Sequence, residues 1–460
     1  MRTTGTRSFI LYILCAGFFA GLYVFLRGFF VNGGDWAMQP YNKHLTGESQ
    51  SSAQGRVLDR NGVVLAKSEN GNRVYNEDET IRRAMLHAVG DTSGYISTGV
   101  QYNFRAELSG YNPVTGLANP TGKTMGNDIR LTLDSGLCKL AREQLGSKNG
   151  AVALYNYKTG ELLCMVSTPD YDPANPPEDL ITDQTGKYDG VFVNKVLSST
   201  LTPGSIFKLV TAAAAIENIP DLDQRTWDCN GSIIVNGNKI TDVKAYGTLD
   251  IKNALAKSSN VAFAQIAIEL GPEIMTAKAE EMGYNRSFSL EGIQSAASSY
   301  HVDNAQPQEL GWSGVGQFTD LANPYHMMIL MGAIANGGTY VQPYLIQSIT
   351  TPMGIQTKSG SAQLGEQLLN PQTAEKLTTY MRYNVTAEYG DSLFPSMEVC
   401  AKTGTAEIGT ARKPNGWMVG FSSNEETPFA FAVVVENASS SLGSAGKIAS
   451  VLMQAAAKLS

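Results

Sequence analysis

The chain has 460 residues, of which 43% are hydrophobic and 17% charged, and its formal net charge is −7 at neutral pH. This length favours more than one domain, and the composition excludes a disordered or collagen-like chain. The sequence has no basic tract, which argues against a nucleic-acid partner because phosphate binding requires clustered Lys and Arg side chains.

The N-terminus predicts a membrane anchor. Arg2 and Arg7 precede an uncharged run of 18 residues from Phe9 to Leu26, close to the ~20 residues that span a bilayer as a helix. A cleaved signal peptide and a buried helix are the alternatives, but the run is long for a signal peptide and no A-x-A cleavage pattern follows it. We therefore expect residues 1–31 to form a cytoplasmic tail and a single transmembrane helix, with the remaining chain outside the cytoplasm.

The cysteines and histidines carry little chemistry. Five cysteines do not make a disulfide framework in a chain of this length, although a bridge involving Cys138 or Cys229 stays open. Cys164 and Cys400 lie in predicted strands as small core residues. The four histidines are scattered without metal-ligand spacing, so we predict no metal site and no cofactor. A G-x-S-x-G motif is also missing, which argues against an ordinary α/β-hydrolase triad.

Residues 32–126 are predicted to form a small β-rich, non-catalytic module. It begins with a polar, Gly- and Ser-rich stretch from Asn32 to Gln54. The segment from Gly55 to Ala66 predicts a hairpin, because Asn61-Gly62 between apolar runs is typical of a type I′ turn. The stretch from Leu108 to Gly126 is rich in Gly, Pro and Asn, which marks a domain boundary near Gly126.

Residues 127–460 are predicted to form a second domain. Its strands are expected at Asp128–Asp134, Gly150–Tyr157, Glu161–Ser167 and Phe429–Glu436, and its helices at Leu137–Leu145, Ser205–Asn218 and Lys447–Leu459. The Ser205–Asn218 segment is apolar and Ala-rich, as expected of a helix. Strands at both ends with helices between them indicate an α+β domain, in which one mixed sheet packs between helical layers.

Three short motifs carry the chemistry, and each occurs more than once. S-x-x-K occurs at Ser205/Lys208 and Ser444/Lys447, S-x-N at Ser258/Asn260, Ser68/Asn70 and Ser422/Asn424, and K-T-G at Lys402 and Lys158. The Lys158 copy lies in a predicted hairpin turn ahead of every usable serine, and Ser444 has neither partner motif after it. Only the copies that begin at Ser205, Ser258 and Lys402 stand in the required order.

The first motif supplies a nucleophile and its base. Ser205 follows Pro203-Gly204 in the first turn of the predicted helix, where free backbone N–H groups and the helix dipole favour an oxyanion. Lys208 lies three residues further on the same helix face. Since no histidine is at hand, a neutral lysine can act as the base, and its pKa falls through burial and through a second cation such as Lys402.

The other two motifs complete the candidate site. The Ser258 hydroxyl can relay a proton to a leaving amine, and the Asn260 amide can hold a substrate amide. The third motif and the residue after it are predicted to form an edge strand, which comprises Lys402, Thr403, Gly404 and Thr405. On this strand the glycine allows close approach of a substrate backbone, while the Lys and Thr groups can bind a carboxylate.

Together, the motifs resemble those of class A β-lactamases and penicillin-binding proteins. Further segments resemble the same family, namely Asn194-Lys195, Thr202–Lys208, Gly316-Gln317, Ala335–Gly338 and Gly160–Asp172. The segment from Gly55 to Ala66 resembles the N-terminal module of class B penicillin-binding proteins, the monofunctional transpeptidases. Three positions depart from the family pattern: Lys195 and Gln54 replace Arg, and Ala401 replaces Gly.

The resemblance implies a penicillin-binding transpeptidase fold with a largely antiparallel sheet, and a D,D-transpeptidase of the bacterial plasma membrane. Its substrates would be peptidoglycan stem peptides, β-lactams would acylate it, and a SEDS-type glycan polymerase would contact the anchor and N-terminal module. The alternatives are a D,D-carboxypeptidase, a β-lactamase or β-lactam sensor, and a scaffold with an inactive site. A scaffold would be expected to lack one of Ser205, Lys208 and Asn260, yet all three are present.

Overall fold

The structure, a computed structural model, describes residues 2–37, 54–111, 126–407 and 413–459. In these ranges the helices are α1 Arg2–Ala37, α2 Glu79–Ala84, α3 Leu86–Val89, α4 Val100–Asn103, α5 Arg105–Ser109, α6 Ser135–Leu145, α7 Lys195–Ser198, α8 Lys208–Asn218, α9 Ile251–Lys257, α10 Asn260–Glu281, α11 Pro307–Ser313, α12 Pro324–Ala335, α13 Pro371–Asn384 and α14 Lys447–Ala456.

The strands are mostly short. They are β1 Val57–Leu58, β2 Val64–Glu69, β3 Asn72–Tyr75, β4 Asp128–Leu131, β5 Gly150–Asn156, β6 Leu162–Thr168, β7 Thr226–Cys229, β8 Ser232–Val235, β9 Asn238–Thr241, β10 Gly247–Asp250, β11 Ser289–Leu290, β12 Ile293–Gln294, β13 Thr339–Val341, β14 Ile346–Thr350, β15 Gln356–Ser359, β16 Leu364–Gln367, β17 Val399–Ala406, β18 Asn415–Ser422 and β19 Phe429–Val435.

The core is organised around a five-stranded antiparallel sheet in the order β17-β18-β19-β5-β6. Every residue of β18 and β19 is buried, which explains why β19 is a continuous apolar run rather than an alternating one. Helix α12 packs on β18 and β19, while α6 and α14 pack together against strands of the same sheet. Strand β17 lies at the edge of the sheet, as its sequence predicted.

A second sheet joins the two predicted domains. Its order is β15-β14-β4-β1-β2-β3, and β1 pairs in parallel with β4, with Val57 opposite Ile129. Ion pairs add to this contact: Arg82 lies 2.6 Å from Asp172, and Arg83 lies 2.8 Å from the buried Asp170 carboxylate. The described residues therefore pack closely across the sequence division near residue 126, and the division itself stays a prediction.

The hairpin at Gly55–Ala66 forms, but its predicted type I′ turn is wrong. That turn requires positive φ at both central residues, whereas Gly62 has φ 87° and Asn61 is not left-handed. The backbone N–H of Gly62 donates to the Asp59 carbonyl at 3.1 Å. The Asp59 carboxylate also accepts from the N–H groups of Asn61 and Val63 at 2.8 Å each. This side chain therefore stabilises a longer loop that the Asn-Gly pattern does not reveal.

Helix α1 contains the apolar stretch predicted as an anchor. Within it, Gly5–Phe30 is long and apolar enough to cross a membrane, and its large side chains are exposed. The protein therefore carries one N-terminal helix that fits a single membrane span. Outside this helix, Cys138, Cys164, Cys229 and Cys400 are buried and free of disulfides.

Candidate active site

Ser205 lies on a tight turn that packs against the edge of the central sheet. The 3₁₀ turn Gly204–Ile206 leads directly into α8, so the predicted helix start is confirmed with a 3₁₀ first turn. Gly204 has φ 55°, and a Cβ on it would lie 2.5 Å from the Thr405 carbonyl oxygen. Only glycine fits this left-handed, crowded position. Its presence sets the Ser205 turn directly beside β17.

The Lys208 side chain is fully buried below the turn. Its Nζ lies 2.6 Å from the Ser258 carbonyl oxygen, 3.3 Å from Ser258 Oγ and 2.8 Å from Asn260 Oδ1. Burial lowers the pKa of Lys208 well below its usual value, and the nearby Lys402 cation lowers this pKa further, whereas Asp242 raises it. The neutral amine is therefore favoured at this position.

Ser258 connects the first motif with the third. It has φ 56° in the bend between α9 and α10, and its Oγ accepts a hydrogen bond from Lys402 Nζ at 3.0 Å. Lys402 is also fully buried, donates to the Thr403 carbonyl at 2.9 Å, and has a pKa lowered by burial to about 7. The Ser258 hydroxyl therefore lies between two buried lysine amines.

The edge strand β17 is partly capped by a tyrosine. Tyr389 Oη accepts from the backbone N–H of Thr403 at 3.1 Å and lies 3.1 Å from Thr403 Oγ1. Along a strand, the backbone N–H groups of successive residues point to opposite edges. The N–H of Thr405, two residues after Thr403, therefore points to the same open edge of β17 as the N–H of Thr403. A Cβ on Gly404 would meet the Pro203 carbonyl oxygen at 2.6 Å. The close approach at Gly404 is thus with the Ser205 turn.

A cleft of about 530 Å³ opens above these residues. It is lined by Ser205, Thr241, Val243, Lys257, Ser258, Asn260, Glu309, Trp312, Val315, Gln317, Phe318, Thr403, Thr405 and Glu407. Five predicted site residues therefore share one cleft, while Lys208 and Lys402 lie buried in hydrogen-bond contact with Ser258.

The other copies of the motifs lie elsewhere. Ser444 Oγ donates to the Ser440 carbonyl, and Ser422 is buried in β18. Lys158 lies in the turn between β5 and β6, where its Nζ donates to the Asn336 side chain. None of these copies lines the cleft. Order along the chain thus selected the residues that the fold brings together.

Several residues around the cleft escaped the sequence interpretation. Asp242 accepts from the backbone N–H of Asn260, and Tyr389 holds Thr403. Phe318 lines the cleft with φ 68°, an unusual conformation for a bulky residue. These residues take part in the site through contacts between segments that are distant in the sequence, so no local sequence pattern identifies them.

Comparison with known proteins identifies the family of this chain. Residues 150–454 match the family model of the penicillin binding protein transpeptidase domain. The chain belongs to the penicillin-binding protein transpeptidase family. It is 30% identical over 326 residues to the peptidoglycan D,D-transpeptidase PbpA of Mycobacterium tuberculosis, an alignment that covers 65% of this chain and 64% of that protein. The chain thus spans just under two thirds of that relative's length, and the resemblance to class B penicillin-binding proteins is confirmed.

Solved structures of this family share the fold. The D,D-transpeptidase domain of a peptidoglycan glycosyltransferase from Eggerthella lenta is 26% identical to this chain. The two structures superpose with a TM-score of 0.76, and the superposition covers 89% of this chain and 99% of that one. Penicillin-binding protein A from M. tuberculosis, solved as its penicillin G acyl-enzyme complex, is 24% identical to this chain. The two structures superpose with a TM-score of 0.74 over 89% of this chain and 100% of that one. The predicted transpeptidase fold is therefore confirmed.

Proposed function

We propose that this penicillin-binding protein is a serine-type peptidoglycan D,D-transpeptidase whose nucleophile is Ser205. The observation that carries the proposal is the position of the Ser258 hydroxyl between the buried amines of Lys208 and Lys402, beside a cleft that Ser205 and Ser258 both line. Two buried cations so close together disfavour double protonation. One of them, Lys208, is then available as a neutral base.

Acylation follows from this arrangement. Neutral Lys208 takes the proton of Ser205 Oγ as the oxygen attacks the carbonyl carbon between the two D-Ala residues of a stem peptide. The backbone N–H groups of Ser205 and Thr405 stabilise the oxyanion. When the amide bond breaks, the Ser258 hydroxyl donates its proton to the leaving D-Ala nitrogen and is reprotonated by Lys208. The products are a Ser205 ester and free D-Ala.

Strand β17 binds the substrate. Its free edge accepts the extended stem peptide as an additional strand, with the Asn260 amide on the opposite side of the cleft. The terminal carboxylate lies against the hydroxyls of Thr403 and Thr405, which line the cleft, with the buried Lys402 amine behind them. The nearby anion raises the pKa of Lys402 above its unliganded value of about 7. A β-lactam, which presents an amide and a carboxylate together, binds in the same way.

The acyl group then passes to an amine on a neighbouring strand. Hydrolysis would instead need an activated water, and the carboxylates among the described cleft residues are Glu309 and Glu407. The Glu309 carboxylate already accepts from the N–H of Gln306 at 2.7 Å as part of a helix cap. Glu407 is exposed, and neither glutamate hydrogen-bonds to Ser258 or Lys208 in the described part of the chain. We therefore expect aminolysis rather than rapid hydrolysis, and so a transpeptidase rather than a β-lactamase. A D,D-carboxypeptidase side activity remains compatible with the same ester.

We further propose that residues 1–31 anchor the protein with the N-terminus in the cytoplasm and Ser205 outside. The support is the apolar helix that carries Arg2 and Arg7 near its N-terminal end, together with the extracytoplasmic location of peptidoglycan. In this topology the anchor and N-terminal module would contact a SEDS-type glycan polymerase, and residues 32–126 and 127–460 would act as separate functional regions.

Labelling with penicillin tests the proposal. The full chain in detergent should form one covalent adduct by intact mass, located in the peptide that contains Ser205. Ser205→Ala should abolish the adduct, and the matched control Ser444→Ala should retain it. An adduct that survives Ser205→Ala, or rapid turnover of penicillin, would overturn the assignment. Release of D-Ala that increases with an added amine acceptor would distinguish a transpeptidase from a carboxypeptidase.

A further inference from the structure

An aspartate outside the three motifs fixes the start of the helix that carries Asn260. Asp242 directly follows the β8–β9 hairpin. Its Oδ1 accepts from the backbone N–H groups of Asn260 at 2.5 Å and Val261 at 3.1 Å, and its Oδ2 accepts from Ser259 Oγ at 2.8 Å. One carboxylate therefore satisfies three donors in three consecutive residues at the N-terminus of α10.

The residue before Asp242 fixes the other end of Asn260. Asn260 Nδ2 donates to the Thr241 carbonyl at 2.8 Å, while Asn260 Oδ1 lies 2.8 Å from Lys208 Nζ. Both the backbone and the side-chain amide of Asn260 are thus held by the Thr241-Asp242 pair. The amide oxygen is directed to Lys208 as a result.

The same segment forms a wall of the cleft. Thr241 and Val243 both line it, and Val243 is 94% exposed although its side chain is apolar. The hairpin exit therefore faces the cleft on one side and is linked to the Lys208 amine through Asn260 on the other.

We propose that Asp242 is a positioning residue for the acylation step, which holds Asn260 and, through it, the Lys208 amine toward Ser205. This inference rests on the proposed function. A carboxylate at a helix N-terminus also stabilises the helix itself, so a helix cap without influence on Lys208 is the competing explanation. A variant that removes the charge of Asp242 distinguishes the two explanations, because only a residue that acts on Lys208 changes the pKa of that amine.

The charged groups that face Lys208 are few among the described residues. Lys402 approaches from β17 and lowers the Lys208 pKa, while Asp242 approaches from the hairpin exit and raises it. Ser258 and Asn260, which contact the amine, are neutral. Burial raises the pKa of the neighbouring Cys229 thiol, and the Asp242 charge adds to this rise. Removal of the carboxylate charge should therefore lower the Lys208 pKa and extend its neutral form to lower pH.

The test compares Asp242→Asn with Asp134→Asn in the full chain. Asp134 is a matched control because it is buried, caps α6 by accepting from the N–H of Leu137 at 2.9 Å, and touches none of the proposed catalytic residues. The measurement is the second-order rate constant for penicillin acylation between pH 5 and 9, with the melting temperature of each variant.

Asp242→Asn should acylate at least about tenfold more slowly at the plateau, and the midpoint of its acid limb should move to lower pH. Asp242→Glu should recover part of the rate. Asp134→Asn should lose thermal stability but keep the wild-type rate and acid limb.

An unchanged rate in Asp242→Asn would overturn the inference, and so would a slower rate with an unmoved acid limb, because a helix cap alone gives that result. If Asp242→Asn does not fold, Asp242→Ser, which also removes the charge but keeps a side-chain oxygen that can cap the helix, is judged by the same two criteria. Failure of the wild type to acylate at Ser205 would instead refute the proposed function.

Discussion

Two kinds of buried lysine occur in this protein. Lys278 in α10 is 4% exposed and is ion-paired with Glu217 and Glu281. Lys208 and Lys402 are fully buried, and among the described residues neither has a carboxylate within ion-pair distance. Burial is similar, so the partners decide the chemistry: paired charges maintain structure, whereas amines that contact only neutral oxygens lose their protons easily.

The largest effect should come from Lys208→Arg. Arginine cannot be deprotonated in a protein, so it cannot act as the base for Ser205. General-base catalysis contributes about 10²–10⁴-fold, and we expect acylation by penicillin to fall by about 10³-fold. Intact mass spectrometry measures the rate, and circular dichroism checks the fold. Near-normal acylation would exclude Lys208 as the base.

Lys402→Met should lower the rate of acylation by penicillin by at least about 100-fold, because the carboxylate of penicillin loses the positive charge of Lys402. It should nevertheless raise thermal stability at pH 7, since it removes a buried amine without a carboxylate partner. A variant that acylates normally, or that melts well below the wild type, would contradict the assigned difference between the two kinds of lysine.

The pH dependence of stability should change in the same variant. The pKa of Lys402 is about 7 in the folded chain and about 10.4 when unfolded. The unfolded chain therefore binds more protons between these values, and this lysine makes the unfolding free energy rise with pH by about 1.4 kcal/mol per unit. Stability is lost as the pH falls toward 7. The advantage of Lys402→Met over wild type should consequently shrink from pH 7 to pH 9 in urea titrations.

Lys278→Ala should have effects opposite to those of Lys402→Met, because it should lower stability and leave acylation unchanged. Removal of the lysine leaves Glu217 and Glu281 without their partner, and we expect a loss of about 2 kcal/mol, less than for a fully buried pair because both carboxylates are partly exposed. Acylation of the folded fraction should stay at the wild-type rate. Impaired acylation at a temperature where the variant is fully folded would show that Lys278 is not purely structural.

The smallest effect should come from Lys195→Arg. Lys195 is ion-paired with Glu436, and an arginine keeps that charge. Because Lys195 is buried and arginine is larger, we expect a change in stability of up to about 1 kcal/mol and unchanged acylation. Because the same substitution at Lys208 should lower acylation by about 10³-fold, the pair of variants compares the two kinds of lysine with an identical substitution.

Local sequence patterns predicted the parts of the fold that depend on neighbouring residues. The apolar run from Phe429 predicted a buried strand, and Pro203-Gly204 predicted the helix start at Ser205. The type I′ turn at Asn61-Gly62 was wrong because the Asp59 side chain stabilises another loop. In that case a side-chain contact outweighed the local propensity.

The candidate site shows the same limit. Motif order selected Ser205 and Ser258, which line one cleft, and Lys402, which lies buried in hydrogen-bond contact with Ser258. Asp242 and Tyr389 were missed because they act on motif residues 14 or more positions away in the chain. Phe318 gave no signal either, since positive φ is expected of glycine rather than of an aromatic residue.

The parallel pairing of β1 with β4 has a consequence for shortened forms of the protein. A chain that begins at residue 127 would lack β1, so β4 would pair only with β14 and its other edge would be open. Open strand edges recruit other chains and promote aggregation. A chain that begins at residue 54 keeps β1, β2 and β3 in place. Removal of the membrane helix alone should therefore yield a better-behaved soluble protein than removal of the whole N-terminal module.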